Sequence, residues 1–258
     1  MTRPAATMTN AVQRGAAANL PVAASVGAYG SVLGVLAAQK GIAWYELLIM
    51  NLSVFAGSAQ FVMVDMWTPP LPILEIVIAV WVINLRYLLI GASLNPIFQG
   101  KSLAHKAFMM HLVADENWAV TMAAYRRGGA STGFLFGGGL CLVTVWCMGT
   151  LTGHRLGSMV QNPEAFALDF AFVAVFTALA VSLWRGKNDM IPWMVAAVLA
   201  VAVEKLLPGK WYIVIGGLGG ALAAGVSAAP RAEAAPRPPD SVGSKSAGDA
   251  KGLNDGIT

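Results

Sequence analysis

The sequence has 258 residues, of which 57% are hydrophobic and 12% charged, and its formal net charge is +4. Soluble domains carry about 25% charged residues, so this composition excludes an ordinary water-soluble enzyme and indicates a polytopic membrane protein in a lipid bilayer. The basic residues are scattered and offer no patch for nucleic acid. The two cysteines and three histidines form no metal-binding motif. We therefore predict an all-α integral membrane protein with no cofactor and no metal.

The composition divides the chain into three parts. Residues 1–15 are small and polar and predict a disordered N-terminus. Residues 16–227 hold the apolar segments and predict one transmembrane domain. Residues 228–258 are rich in Pro, Gly, Ser and Ala, which predicts a disordered C-terminal tail.

The first apolar segment, Ala16 to Ala38, predicts a transmembrane helix. It is too long for the hydrophobic region of a cleaved signal peptide. Gly30 and Gly34 have the spacing of a GxxxG motif, which allows close contact between helices. We expect another helix to pack on this face.

The second apolar segment, Leu47 to Val64, carries small and polar residues in its middle. These are Asn51, Ser53, Gly57, Ser58 and Gln60. A helix that breaks at membrane depth frees N–H and C=O groups, which are tolerated only against protein or a water-filled cavity. We interpret the segment as a broken helix that holds a polar solute. The alternative is that its small residues only allow close packing.

The third apolar segment, about Pro72 to Leu94, places an arginine deep in the predicted span. Its midpoint is near Ile83, so Asn84 is central and Arg86 lies about 4.5 Å beyond the midpoint. A central arginine costs about 2.5–3.5 kcal/mol on insertion scales, so we expect Arg86 to face a cavity or a paired acid. The alternative is a shifted span in which Arg86 reaches the interface.

Residues 103–125 are the most ambiguous element. We predict one helix, on which His111 and Asp115 share a face and Glu116 points about 100° away. If this helix spans the membrane, both carboxylates lie near the midplane and pair with Arg86, hold a proton or contact a cation. If it lies along the surface, they are ordinary solvated charges. The first interpretation gives eight transmembrane helices and the second gives seven.

Four more apolar segments complete the predicted spans, at Gly133–Gly153, Ala165–Trp184, Ile191–Leu207 and Trp211–Val226. His154 and Arg155 are expected to end the first of them. Asp169 lies about one turn inside the second, where it suits either a helix N-terminus or a polar pathway. A Gly-rich span, a polar-interrupted span and a span with a charge follow each other in both halves, which suggests an internal repeat of the kind found in transporters.

The chain also carries a set of recognisable motifs. They are FAGSAQF at 55–61, LEI at 74–76, NLRYLLIGASLNP at 84–96, DE at 115–116 and PEAFALDF at 163–170. Over about residues 15–226 these motifs resemble the AzlC family of branched-chain amino acid permeases. Tyr87 stands where that family is expected to have His, and Asn95 where many members have Ala, so the substrate preference can differ.

The resemblance implies a transporter and no enzyme. It implies export of leucine, isoleucine and valine across the inner membrane of a bacterium, together with a small AzlD-type membrane subunit. Coupling to protons is our own expectation, based on the predicted depth of Asp115 and Glu116, with His111 on the same element.

A branched-chain amino acid needs an anion-binding group, a cation-binding group and an apolar pocket. Arg86, or the N–H groups near Gly57 and Ser58, are candidates for binding the carboxylate. The candidates for binding the ammonium group are Asp115, Glu116, Asn51 and Gln60. The candidates for the apolar pocket are Phe55, Phe61 and Met63.

Two other function classes stay open. An intramembrane hydrolase could use Ser93 with His111, although a Gly-Ala-Ser string is a weak cue without a nucleophile elbow. A non-transporting scaffold subunit is favoured if Arg86 and both carboxylates lie at interfaces.

Overall fold

The computed structural model describes residues 8–159, 186–207 and 211–227, with the single positions 174, 177, 181 and 184. In this part of the chain the secondary structure is helical, without a strand. Three helical stretches are long and apolar enough to cross a membrane, namely Met8–Gln39, Ile73–Leu94 and Thr132–Ser158. The all-α prediction is confirmed for these residues, whereas the total of seven or eight spans and the internal repeat stay predictions.

The helices follow one another with short connections. They are α1 Met8–Gln39, α2 Trp44–Ser53, α3 Gly57–Asp65, α4 Ile73–Asn84, α5 Arg86–Leu94, α6 Leu103–His111, α7 Asp115–Arg126, α8 Thr132–Met159, α9 Met190–Leu206 and α10 Trp211–Ser227. A 3₁₀ turn, Lys187–Asp189, precedes α9. The PEAFALDF motif with Asp169, most of the predicted span 165–184 and the tail 228–258 lie outside the described residues.

Two helix ends differ from the predicted ones because α1 and α8 pack along their whole length. α1 begins at Met8, inside the segment expected to be disordered, since Ala11 contacts α8 at Gly133. α8 runs past His154 and Arg155, which were expected to end it, to Met159. Its Gly157 still packs against α1 there.

Glycines allow the backbones of α1 and α8 to touch. A Cβ atom at Gly34 would overlap the carbonyl oxygen of Thr150, and one at Gly153 would overlap that of Ser31. At Gly30 the nearest backbone atom would lie 3.2 Å from such a Cβ. Small residues are the usual way for membrane helices to approach this closely. The predicted contact face at Gly30 and Gly34 is confirmed.

The predicted break in the second apolar segment is also confirmed. α2 ends at Ser53, and α3 begins at Gly57. Between them Val54, with φ −129° and ψ 76°, has left the helical conformation, and Ala56 is extended. The break therefore comes just before the small residues Gly57, Ser58 and Ala59, which form the first turn of α3.

The prediction of one helix over residues 103–125 is wrong. α6 ends at His111, and α7 begins at Asp115, so these two residues lie on different helices and share no face. The side chain of Asn117 explains the interruption. Its Oδ1 accepts from the N–H of Ala114 at 2.8 Å, and its Nδ2 donates to the carbonyl of Leu112 at 3.0 Å.

Arg86 lies near the middle of the long apolar stretch Ile73–Leu94, as expected. Leu85 separates α4 from α5 but keeps helical backbone angles, with φ −54° and ψ −27°. Arg86 therefore extends from near the centre of this long helical stretch, two positions after Asn84.

Candidate functional site

A cavity of about 230 Å³ lies where the break between α2 and α3 and the start of α7 meet α1, α5 and α8. Its lining residues are Ser25, Val26, Tyr29, Phe55, Gly57, Ser58, Arg86, Tyr87, Ala114, Asp115, Glu116 and Trp146. This volume is below the roughly 300–1,000 Å³ of pockets for drug-sized ligands. The cavity therefore suits a small solute.

Arg86 is the centre of the polar side of this cavity. Its Nη1 is 2.7 Å from Oδ2 of Asp115, and its Nη2 donates to Oγ of Ser58 at 2.9 Å. Its Cζ lies 5.4 Å from the centre of the Tyr87 ring, within range of a cation–π contact. Its Nε is buried and has no partner among the described residues. Arg86 thus links α3, α5 and α7, and since a guanidinium carries five N–H donors it is not saturated by these two contacts.

Asp115 and Glu116 differ in their contacts. Asp115 is paired with Arg86, and the two side chains are 44% and 35% exposed. Glu116 also lines the cavity and is exposed, but it forms no ion pair in the part of the chain that the structure describes. Both acids occupy the first turn of α7, where a helix N-terminus favours negative charge. One carboxylate is therefore engaged, and the other is left for a cation.

Two successive residues in the first turn of α3 contact different parts of the cavity. Gly57 faces the indole of Trp146, and Ser58 contacts the charged Arg86. A Cβ atom at Gly57 would lie 3.1 Å from Cη2 of Trp146. The next residue, Ser58, accepts the hydrogen bond from Arg86. No side chain of the described residues caps this turn, whose N-cap is Ala56. Its first N–H groups lack partners inside the helix, as at any helix start.

Asn51 and Gln60 are fully buried and do not line the cavity. Gln60 Nε2 donates to the carbonyl of Val54 at 2.6 Å, and its Oε1 accepts from the indole N–H of Trp146 at 2.9 Å. Asn51 Oδ1 accepts from the same indole at 3.1 Å, and its Nδ2 donates to Oγ1 of Thr150 at 2.7 Å. These amides satisfy a carbonyl freed by the break and hold the indole that forms the cavity wall.

Ser53, Asn84 and His111 lie outside the cavity. Ser53 is exposed, and its hydroxyl donates to the carbonyl of Ile49 in its own helix at 2.7 Å. The Oδ1 atom of Asn84 is buried without a partner among the described residues. His111 Nε2 forms a hydrogen bond with the carbonyl of Leu52 at 2.8 Å.

The apolar lining differs from the predicted pocket. Phe55 lines the cavity as expected. Phe61 is fully buried, and its ring packs edge-on against Tyr29 with 5.6 Å between ring centres. Met63 is half-buried and also lies outside the cavity. The ring of Trp146 takes the place that these two side chains were expected to fill.

Ser93 and His111 do not form a nucleophile and its base. The hydroxyl of Ser93 donates to the carbonyl of Ile90 at 2.7 Å and accepts from the indole N–H of Trp118 at 2.8 Å. His111 is bonded to the backbone of Leu52. The hydrolase alternative therefore lacks its geometric basis. Among the described residues, no group of three His, Cys, Asp or Glu side chains is placed to hold a metal ion.

Three polar residues near the cavity were missed by sequence analysis, namely Asn117, Trp146 and Thr150. Trp146 and Thr150 stand four positions apart, on one face of α8. Asn117 stands three positions after Ala114, the spacing at which a side chain reaches back to the start of a helix. These spacings were signals that the sequence already contained.

Comparison with known proteins relates this chain to a family. The family model described as AzlC protein matches residues 21–160. The chain is 26% identical over 188 residues to an uncharacterized membrane protein of Helicobacter pylori strain J99, covering 72% of this chain and 81% of that protein. It is 24% identical over 197 residues to the branched-chain amino acid transport protein AzlC of Bacillus subtilis strain 168, covering 76% of each. No solved structure shows significant similarity to it.

The matched residues 21–160 make up more than half of the sequence and include all the cavity-lining residues. The similar proteins are described as membrane or transport proteins. The apolar helices of this chain fit the same location. The chain therefore belongs to the AzlC family and is a membrane protein.

Proposed function

We propose that this chain is a secondary transporter that exports branched-chain amino acids across the inner membrane of a bacterium. The observation that carries the proposal is the cavity in which Arg86 and Glu116 lie beside the indole of Trp146, with no ion pair to Glu116 from the described residues. A branched-chain amino acid presents a carboxylate, an ammonium group and an aliphatic side chain. Each of these groups has a counterpart in the cavity.

The carboxylate of the substrate is assigned to Arg86. Each of its two terminal nitrogens carries two N–H groups, so Arg86 can hold Asp115 and Ser58 and still donate to a carboxylate. Hydrogen bonds between charged groups are roughly twice as strong as neutral ones. The N-terminus of α3 adds a favourable dipole for an anion at Gly57.

The ammonium group is assigned to Glu116, because Asp115 is already neutralised by Arg86. The difference between Asp115, which is paired with Arg86, and Glu116 also supports proton coupling. Glu116 can gain or lose a proton without breaking the Arg86–Asp115 pair. A carboxylate that alternates between a proton and a substrate cation provides a simple means of exchange across a membrane.

The direction of transport, the inner-membrane location and a small AzlD-type subunit rest on the family resemblance. Exposed apolar side chains on the outside of the protein suit a location in a membrane beside another subunit. Trp81, Leu88 and Leu89 on the third predicted span are 65%, 71% and 76% exposed, as expected of side chains that face lipid or another membrane helix.

Efflux of leucine tests the proposal. Cells are loaded with a leucine-containing dipeptide, and efflux is followed with the chain alone and with the chain and a candidate small subunit. We expect efflux that requires the chain and is lost in Arg86→Ala. Arg155→Ala is the matched control, because Arg155 is exposed and lies outside the cavity. At equal membrane expression, efflux that is indifferent to the chain, even with the subunit present, would instead favour a scaffold.

A further inference from the structure

The indole of Trp146 forms a rigid wall of the cavity. Its side chain is 5% exposed, and its N–H lies between Oδ1 of Asn51 at 3.1 Å and Oε1 of Gln60 at 2.9 Å. Both amides are fixed in turn, Asn51 by Thr150 and Gln60 by the freed carbonyl of Val54. The ring cannot turn away without leaving buried polar groups unpaired, so its position is held in place.

Gly57 faces this ring from the first turn of α3. A Cβ atom there would lie 3.1 Å from Cη2 of Trp146 and 3.6 Å from Cζ2 and Cζ3. The smallest of these separations is closer than ordinary van der Waals contact, and the indole is not free to yield. Any side chain at position 57 must therefore narrow the cavity or displace its wall.

We infer that Trp146 and Gly57 together set the upper size limit for the apolar side chain of the substrate. This inference rests on the transport function proposed above. A rigid wall can discriminate by size, whereas a flexible side chain such as methionine adapts to different ligands. One methylene in an apolar pocket changes the preference between substrates by roughly 10–200-fold. Neighbouring Ser58 contacts Arg86, so the size limit is set next to the charged end of the site.

Two substitutions test this inference because they change the size limit in opposite directions. Efflux of valine, leucine and phenylalanine is measured in the same cells, and the ratios of their rates are compared. Trp146→Phe enlarges the cavity, so we expect the efflux rate of phenylalanine to rise about tenfold relative to that of leucine. Gly57→Ala narrows the cavity, so we expect the efflux rate of leucine to fall about tenfold relative to that of valine.

Trp118→Phe is the matched control. Trp118 also donates its indole N–H to a side chain, Oγ of Ser93 at 2.8 Å, but it does not line the cavity. We expect this variant to keep the wild-type ratios. If Trp146→Phe fails to reach the membrane, the valine-to-leucine ratio of Gly57→Ala decides the question.

The outcomes separate the inference from the proposed function. Wild-type ratios in both cavity variants, with all rates lowered equally, would overturn the size limit and leave the transport function intact. A wild-type chain that moves none of the three amino acids would overturn both. A higher phenylalanine-to-leucine ratio in Trp146→Phe, together with a lower leucine-to-valine ratio in Gly57→Ala, would support the size limit. A purely structural role of Trp146 would lower all efflux rates alike.

Discussion

Arg86 and Asp115 join the start of α5 to the start of α7, with 2.7 Å between Nη1 and Oδ2. Arg86 lies near the middle of the apolar stretch Ile73–Leu94, where an unpaired arginine is costly. Asp115 offsets that charge and also holds the α6–α7 break against the cavity. The pair therefore serves both the fold and the site.

Removing this pair is expected to destabilise the protein by an intermediate amount. Exposed pairs contribute about 0–1 kcal/mol, and breaking a fully buried pair costs about 3–5 kcal/mol. Because the two side chains are 35% and 44% exposed, we expect Asp115→Asn to cost about 1–3 kcal/mol. The measurement is the Tm of the purified protein in detergent.

Glu116→Gln provides the control for this stability change. It removes the neighbouring carboxylate, which forms no ion pair within the described ranges. We expect a stability change of less than about 1 kcal/mol, the contribution of an exposed charge at a helix N-terminus. An equal loss of stability in both variants would show that charge at the start of α7, rather than the pair, is what matters.

The same Glu116→Gln variant tests proton coupling. If Glu116 exchanges a proton for the substrate ammonium, leucine efflux by the wild type should respond to a pH gradient across the membrane. In Glu116→Gln the efflux rate should fall, because the group assigned to the ammonium loses its charge, and the remaining efflux should not respond to the gradient, because the amide cannot take up a proton. The measurement is the efflux rate with and without an uncoupler. Wild-type efflux that is unchanged by the uncoupler would exclude proton coupling.

The hydrogen bonds at the α2–α3 break are expected to be among the strongest contributions to local stability. Gln60→Leu keeps the approximate volume but removes one of the two donors to the carbonyl of Val54, which also accepts from the N–H of Ala56 at 2.8 Å, and takes one of two acceptors from Trp146. Each lost hydrogen bond costs about 0.5–1.5 kcal/mol net, so for these two we expect a total loss of about 1–3 kcal/mol in unfolding free energy.

Ser53→Ala is the control for the same break. Its hydroxyl is exposed and bonds only within α2, so we expect a change of about 0.5 kcal/mol or less. The Tm values of the two variants give the comparison. A loss in Gln60→Leu no larger than that in Ser53→Ala would contradict a bracing role for the amide.

The contact between α1 and α8 depends on the absence of a side chain at Gly34. In Gly34→Ala the new methyl group would overlap the carbonyl oxygen of Thr150. We expect the helices to separate locally, at a cost of at least about 1–3 kcal/mol. Gly225→Ala in α10 has open space around it, so we expect a gain of about 0.5–1 kcal/mol. Thermal unfolding of both variants tests the difference in sign.

The free-energy cost of polar groups at membrane depth explains which features of the fold and the site could be predicted from the sequence. The break before Gly57 and the need of Arg86 for an acid both follow from the free energy of burying unpaired groups in hydrocarbon. The break between α6 and α7 could not be predicted in this way. Hydrophobic spacing does not reveal that one amide, Asn117, replaces the missing helical hydrogen bonds at Ala114 and Leu112.

The roles of Asn51 and Gln60 show a second limit. A buried amide in an apolar segment needs hydrogen-bond partners, but the sequence does not say whether these belong to a solute or to the protein. Here the partners are Trp146, Thr150 and the freed carbonyl of Val54. They come from a helix almost 100 positions later in the chain as well as from the break itself. Only the three-dimensional packing decides between the two interpretations.

Water access to the first turn of α3 can be tested with two adjacent residues. Ser58 lines the cavity, whereas Ala59 is fully buried. In a background in which Cys141 and Cys147 are replaced by alanine, Ser58→Cys should react with a small water-soluble thiol reagent. Ala59→Cys should remain unlabelled. Leucine should slow the labelling of Ser58→Cys, because a substrate carboxylate bound at Arg86 covers the neighbouring hydroxyl position.

Equal labelling at both positions would mean that this turn is either wholly open or wholly closed to water. In that case the cavity could not be the substrate site. Labelling of Ser58→Cys alone, without protection by leucine, would keep the water-filled cavity but place the substrate elsewhere. Selective labelling with protection would link the break, the arginine and the substrate in one place, because only a solute bound beside Arg86 shields position 58 and leaves position 59 unaffected.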